Sequence, residues 1–156
     1  MDKMLQRLLD EAEIRRVVDG IDSSVDAKDW DRCLTYFTPE IEVDFVSLAG
    51  GEPARIPAAQ LVGSWQQNLY QDKHTQHMRT NHEIEITENN AVCISKGYAF
   101  NRLERKNGDA LWEVWGIYRH TLERTGEGEW KVSGMTLTVT HARGNEMVRD
   151  YLPTAD

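Results

Sequence analysis

From His74 to His141 the chain carries a hydrophobic pattern of period two, and no other feature constrains the fold as tightly. Thr75 to Thr87, Ala91 to Glu104, Ala110 to Glu123 and Trp130 to His141 read as four strands. The links between them, Glu88-Asn89-Asn90, Lys106-Asn107-Gly108-Asp109 and Thr125-Gly126-Glu127-Gly128, supply the Asn and Gly residues that tight hairpins use. Four long strands joined by short links form an antiparallel meander, which must bury one face against something else. The N-terminal half provides it. Leu5, Leu8, Leu9, Ala12, Ile14, Val17, Val18, Ile21 and Val25 recur at steps of three and four, the stripe of one or two amphipathic helices. Asp29 or Asp31 caps a further short helix with Cys33, Leu34 and Phe37 on its apolar face, ended by Thr38-Pro39-Glu40. Ile41, Val43 and Phe45 make a half-buried strand that stops at Gly50-Gly51-Glu52-Pro53, and Pro57 to Tyr70 is helical again. The fold class is therefore α+β, with helices on one face of a curved antiparallel sheet.

The 156 residues suit one domain, spanning 1–156, that buries about two thirds of its unfolded surface. Two cysteines, Cys33 and Cys93, make no disulfide framework and no Cys-x-x-Cys site, so two buried thiols in a reduced, cytoplasmic setting are expected. A net charge of −8 argues against nucleic acid and anionic membrane surfaces as partners, and no segment approaches the ~20 apolar residues of a membrane span.

Two stretches connect this pattern to a known family. Val25-Asp26-Ala27-Lys28-Asp29-Trp30-Asp31-Arg32, followed by Pro39-Glu40-Ile41-Glu42-Val43-Asp44-Phe45, resembles a helix, turn and first strand of the SnoaL-like branch of the nuclear-transport-factor-2-like superfamily, which includes scytalone dehydratase. Thr75-Gln76-His77 matches the start of that branch's second strand, and Gly116-Ile117-Tyr118 through Glu129-Trp130-Lys131-Val132 its terminal hairpin. The resemblance implies a cone-shaped fold with N-terminal helices packed in the concave face of the sheet. It also implies that Asp26 orients His77 at the mouth of the cone. Activities in the superfamily include dehydration, cyclisation, isomerisation and plain binding, so fold does not settle chemistry.

The chemistry of such a pair stands on its own. An imidazole with a pKa of about 6.5 can take a proton from carbon next to a carbonyl and return one to a leaving hydroxyl, while a carboxylate on its other nitrogen fixes the tautomer. The ordinary reading is a helix-capping Asp26 and a structural His77. Departures from scytalone dehydratase, Val25 and Phe45 in place of tyrosines and Asn101 in place of a second histidine, imply a drier pocket. Phe45, Leu48, Val25 and Trp65 point to a small hydrophobic, cyclic or aromatic ligand. Arg119 falls where that enzyme has a pocket asparagine, and with Asn101 would hold an oxygen of the substrate; its alternative is a solvated arginine beside Glu113 or Glu123. A carboxyl donor from a late strand, as a ketosteroid isomerase uses, has only Glu113 and Glu123 to supply it.

His74, His77 and His82 do not form a metal site in an unbroken strand, because odd separations put His77 on the face opposite the other two. No metal or other cofactor is expected. Ile84 and Ile86 have the wrong parity to share a face with His77, so a bulge is expected near Arg79 to Asn81, which turns His82 toward the site. Trp112 and Trp115 lie on opposite faces of one strand: one at most faces the pocket, and the other marks a contact in a homo-oligomer, a dimer or trimer. The first reading is a cofactor-free lyase or isomerase; the second is a non-catalytic binding or assembly module; the third is the small subunit of a ring-hydroxylating oxygenase.

Overall fold

The computed structural model describes residues 2–104 and 108–151. Its elements are α1 (Lys3–Ala27), α2 (Trp30–Leu34), β1 (Phe37–Asp44), α3 (Val46–Ala49), β2 (Ala54–Pro57), α4 (Ala58–Asn68), β3 (His74–Thr87), β4 (Asn90–Arg102), β5 (Leu111–Arg124), β6 (Trp130–Gly144) and α5 (Glu146–Asp150). Strands run in the order β2-β1-β6-β5-β4-β3 in one curved, unclosed sheet. β3 to β6 form the antiparallel meander expected from the period-two pattern, and β1 joins β6 in parallel. The α+β fold implied by the resemblance is the fold found. Of the link between β4 and β5, Lys106 and Asn107 lie outside the described residues.

The first helical pattern is a single helix. Asp2 accepts from the Met4 N–H at its start, and Lys28 ends it in the left-handed region (φ 56°) with its N–H on the Ser24 and Val25 carbonyls. Its buried stripe runs through Ile14, Val17, Val18, Ile21 and Val25, packed across β3 and β6. Leu5, Leu8 and Leu9, expected in that stripe, are instead exposed, because among the described residues no element covers the first turns of α1. Among the described residues no helix is long and apolar enough to cross a membrane.

The expected strand at Ile41 and Val43 is present as β1 but starts earlier, taking in Phe37 that was expected on a helix face, and three elements went unforeseen: α3, β2 and α5. β1 begins at Phe37 and runs through Pro39, where the register against β6 is broken; a proline there costs no ladder bond that the irregular stretch would have made. β2 is a four-residue edge strand paired with β1, and its Ala-Arg-Ile-Pro composition lacks any alternation long enough to read. α5 is one turn, capped by Asn145, whose side chain accepts from the Met147 N–H.

Candidate active site

The expected break in β3 is present and sets the site. Thr75, His77 and Arg79 face α1, the register against β4 shifts between Thr80 and Glu83, and Asn81 takes φ 54°; beyond it His82, Ile84 and Ile86 face α1. Opposite them, Asp19, Asp22 and Asp26 recur at steps of three and four on one face of α1. The result is a ladder of three pairs. His77 Nδ1 lies 2.7 Å from Asp26 Oδ1, Arg79 donates from Nε (2.7 Å) and Nη2 (2.6 Å) to the two oxygens of Asp22, and His82 Nε2 lies 2.8 Å from Asp19 Oδ1.

Asp26 is held hard. It also accepts from the Thr75 hydroxyl (2.9 Å) and from the backbone N–H of His77 (2.7 Å). Just beyond it, Lys28 Nζ donates to the carbonyls of Leu69 and Lys73, which ties the end of α1 to the entry of β3. With a carboxylate accepting at Nδ1, the neutral imidazole carries its proton there and leaves Nε2 with a free lone pair. The two side chains are 19% and 21% exposed, dry enough to hold geometry and open enough to exchange a proton.

His77 forms part of the wall of a cavity of about 390 Å³, near the lower end of small-molecule sites. Val25, Phe45, Leu48 and Trp65 also line it, and the Trp65 ring packs on Phe37 and edge-on to Phe45. Trp112, Val114 and Leu137 close it from the sheet side, and Asn101 sits among them, buried. Asp26 stands behind His77 rather than in the wall. Arg149 and Asp150 of α5 cap one side. That cap is anchored by Lys73, whose fully buried ammonium donates to the carbonyls of Arg149 (2.9 Å) and Tyr151 (3.1 Å); burial pulls its pKa down to about 8.

Two expected site residues lie elsewhere. Arg119 is exposed on the other face of β5, because its odd separation from Trp112 and Val114 turns it outward, so it cannot hold an oxygen in this cavity. His82 does turn toward α1 but ends on Asp19, outside the wall. Glu113 also faces outward, accepting from Tyr98 Oη (2.7 Å) and Arg143 Nε (2.6 Å), and Glu123 is exposed, so neither of these two carboxyls lines the cavity. Among the described residues no group of three or more His, Cys, Asp or Glu is placed to hold a metal ion.

Sequence reasoning missed Asp22, Arg79 and Tyr118, all in the wall. The signal was available: Arg79 is two residues from His77 on the same strand face, and Asp22 one helical turn from Asp26. Burial alone would lower the Arg79 pKa, but the charge and hydrogen bonds of Asp22 more than offset it. His120, stacked on Tyr118, is completely buried; desolvation and the nearby Arg79 charge hold its pKa well below 6.5, so it is neutral.

A curved, unclosed sheet with the N-terminal helix packed against one face is the architecture of the nuclear-transport-factor-2-like class. Within that class the chain belongs to the SnoaL-like domain family, whose sequence model matches residues 6–136. Its fold is similar to that of Kfla4162 from Kribbella flavida (24% identity, TM-score 0.86, covering 92% of this chain and 99% of that one). It is similar also to a candidate scytalone dehydratase from Novosphingobium aromaticivorans (18%, TM-score 0.76, 89% of each chain). A third similar structure is the hexachlorocyclohexane dehydrochlorinase LinA-type3 from Novosphingobium barchaimii (18%, TM-score 0.73, 97% and 100%). No curated protein matches the sequence.

Proposed function

We propose that the protein is a cofactor-independent lyase or isomerase that moves a proton on a small hydrophobic cyclic substrate through Asp26 and His77. The observation that supports this most directly is the 2.7 Å contact between Asp26 and Nδ1, which leaves Nε2 as a base beside an apolar cavity. Nε2 takes a proton from carbon; the C–H electron pair becomes a new double bond. In an elimination the leaving group departs with its own bonding pair, and a hydroxyl leaves as water with the proton His77 returns. In an isomerisation the same proton goes back at another carbon. Asp26 stabilises the imidazolium between the two steps. A dehydratase and a dehydrochlorinase, the activities named for two similar structures, are both eliminations. A purely binding or assembly role gives no reason for three hydrogen bonds to converge on Asp26 behind a histidine that faces a cavity.

A thermal-shift screen of cyclic ketones and alcohols tests this. Ligands that fit should raise Tm in the wild type and in His77→Gln alike, because the apolar wall supplies the binding, while only the wild type converts them. A ligand converted equally by both proteins would sink the reading.

A homo-oligomer, dimer or trimer, goes with this function. Trp115 lies on the outer face of the sheet between Tyr98 (ring centroids 5.0 Å apart) and His141 (5.2 Å), and Met78 and Ile94 are exposed. Light scattering should give a mass of at least twice 17.9 kDa, and a strict monomer would count against the assembly. The two free, buried cysteines suit a reducing compartment, and a cytoplasmic location completes the proposal.

A further inference from the structure

We infer that Arg79 is the oxygen-binding group of this cavity, receiving through Nη1 the substrate oxygen on which negative charge gathers as His77 removes the proton. The inference rests on the proton-transfer reading above and adds the residue that reading lacks, since Arg119 points away from the cavity.

Arg79 is buried, with its side chain 3% exposed, and two of its three nitrogens are committed to Asp22 in a fork. The third, Nη1, is buried and makes no hydrogen bond among the described residues. An unmet donor on a charged group is costly in an apolar wall, and its persistence calls for a partner that arrives with the ligand. The guanidinium is fixed rather than mobile: it stacks 3.8 Å over the Tyr118 ring, and that ring rests on Gly97, where even a Cβ would come within 2.5 Å of it. Arg149, the other arginine in the wall, is fully engaged, with Nε and Nη2 on Asp150 and Nη1 on the Leu48 carbonyl.

Position favours the same role. His77 and Arg79 are neighbours on one strand face, about 7 Å apart along the backbone. Base and cation are therefore spaced for a carbon acid and an oxygen conjugated to it in one small molecule. Asp22 takes up Nε and Nη2 and leaves Nη1 for an incoming oxygen. It also aims the guanidinium, which then meets charge only as that charge develops.

The test uses 4-nitrophenol, whose ionised form absorbs in the visible, as a stand-in for the charged oxygen. Bound to the wild type it should ionise at a pH lower by about one unit or more than in solution, a tenfold or greater preference for the phenolate. In Arg79→Met/Asp22→Leu, shown folded by circular dichroism, the midpoint should rise above the free value, as an apolar cavity demands. Arg79→Lys, which keeps a cation against Asp22, should show a smaller lowering. His77→Gln should keep the full lowering. No binding, no lowering in the wild type, or a lowering lost in His77→Gln and kept in the double variant would overturn the inference. If His77→Gln abolishes turnover while the probe ignores Arg79, proton transfer stands and the oxygen-binding role falls. A probe that follows Arg79 beside a fully active His77→Gln gives the reverse.

Discussion

His77→Gln should lower kcat by about a thousandfold, inside the hundred- to ten-thousandfold range that a positioned acid–base group contributes, and leave the fold intact. Stability is spared because the residue's structural duties are mostly not those of its ring. The His77 backbone N–H, which survives the change, still donates to Asp26 Oδ2, and the Thr75 hydroxyl still donates to Oδ1. Glutamine is close in volume and can donate to the same carboxylate, so Asp26 is not left buried without a partner. What is lost is the lone pair at Nε2, which no amide replaces at neutral pH. The loss should therefore fall on kcat with KM little changed, the signature of an interaction made in the transition state. Asp26→Asn should follow the same pattern less severely, since the imidazole remains but its tautomer and its charged form lose their support. Single-turnover kinetics on a substrate from the thermal-shift screen measure both, and unimpaired turnover by His77→Gln would end the proposal.

The meander and its helices were legible because they depend on periodicity, which a sequence displays directly. The bulge in β3 was legible for the same reason: His77 and Ile84 demanded opposite faces of an unbroken strand, and Asn81 at φ 54° resolves the conflict. Elements without a period were not. β2 has four residues, too few to show alternation, and α5 owes its place to Lys73, 73 residues upstream of its first residue, Glu146, by a pair of bonds to backbone carbonyls that no pattern announces. The site divides along a similar line. Asp26, His77, Phe45, Leu48, Trp65 and Asn101 were reached by resemblance or by apolar pattern, whereas Arg79 and Asp22 each look like a solvated charge until both are seen to be buried against one another. Arg119 shows the converse error: a matched position in a relative said where the residue falls in the chain, but strand parity decides which face it takes.

Removing one member of that buried pair should be the most destabilising single change in the cavity wall. Arg79→Ala leaves the Asp22 carboxylate, whose side chain is 9% exposed, without either of its two short hydrogen bonds, and strips the cover from one face of Tyr118. Breaking a buried pair in this way costs about 3–5 kcal/mol, which for a chain of this size lowers Tm by roughly 10 °C. Asp22→Asn should cost less, since the amide oxygen still accepts one of the two bonds. Replacing both residues, Arg79→Met with Asp22→Leu, removes two desolvated charges together and should recover most of the loss, so a urea-denaturation cycle with the Arg79→Met and Asp22→Leu single variants should show coupling of several kcal/mol. A cost below about 1 kcal/mol for Arg79→Ala would mean the pair is screened like a surface bridge and would remove the argument from burial. If the double variant equals the wild type in stability, the fold has no need of the ion pair. Its retention in the wall beside His77 is then explained by what the free Nη1 does for a ligand, and the chemistry of the cavity rather than its packing accounts for the arginine.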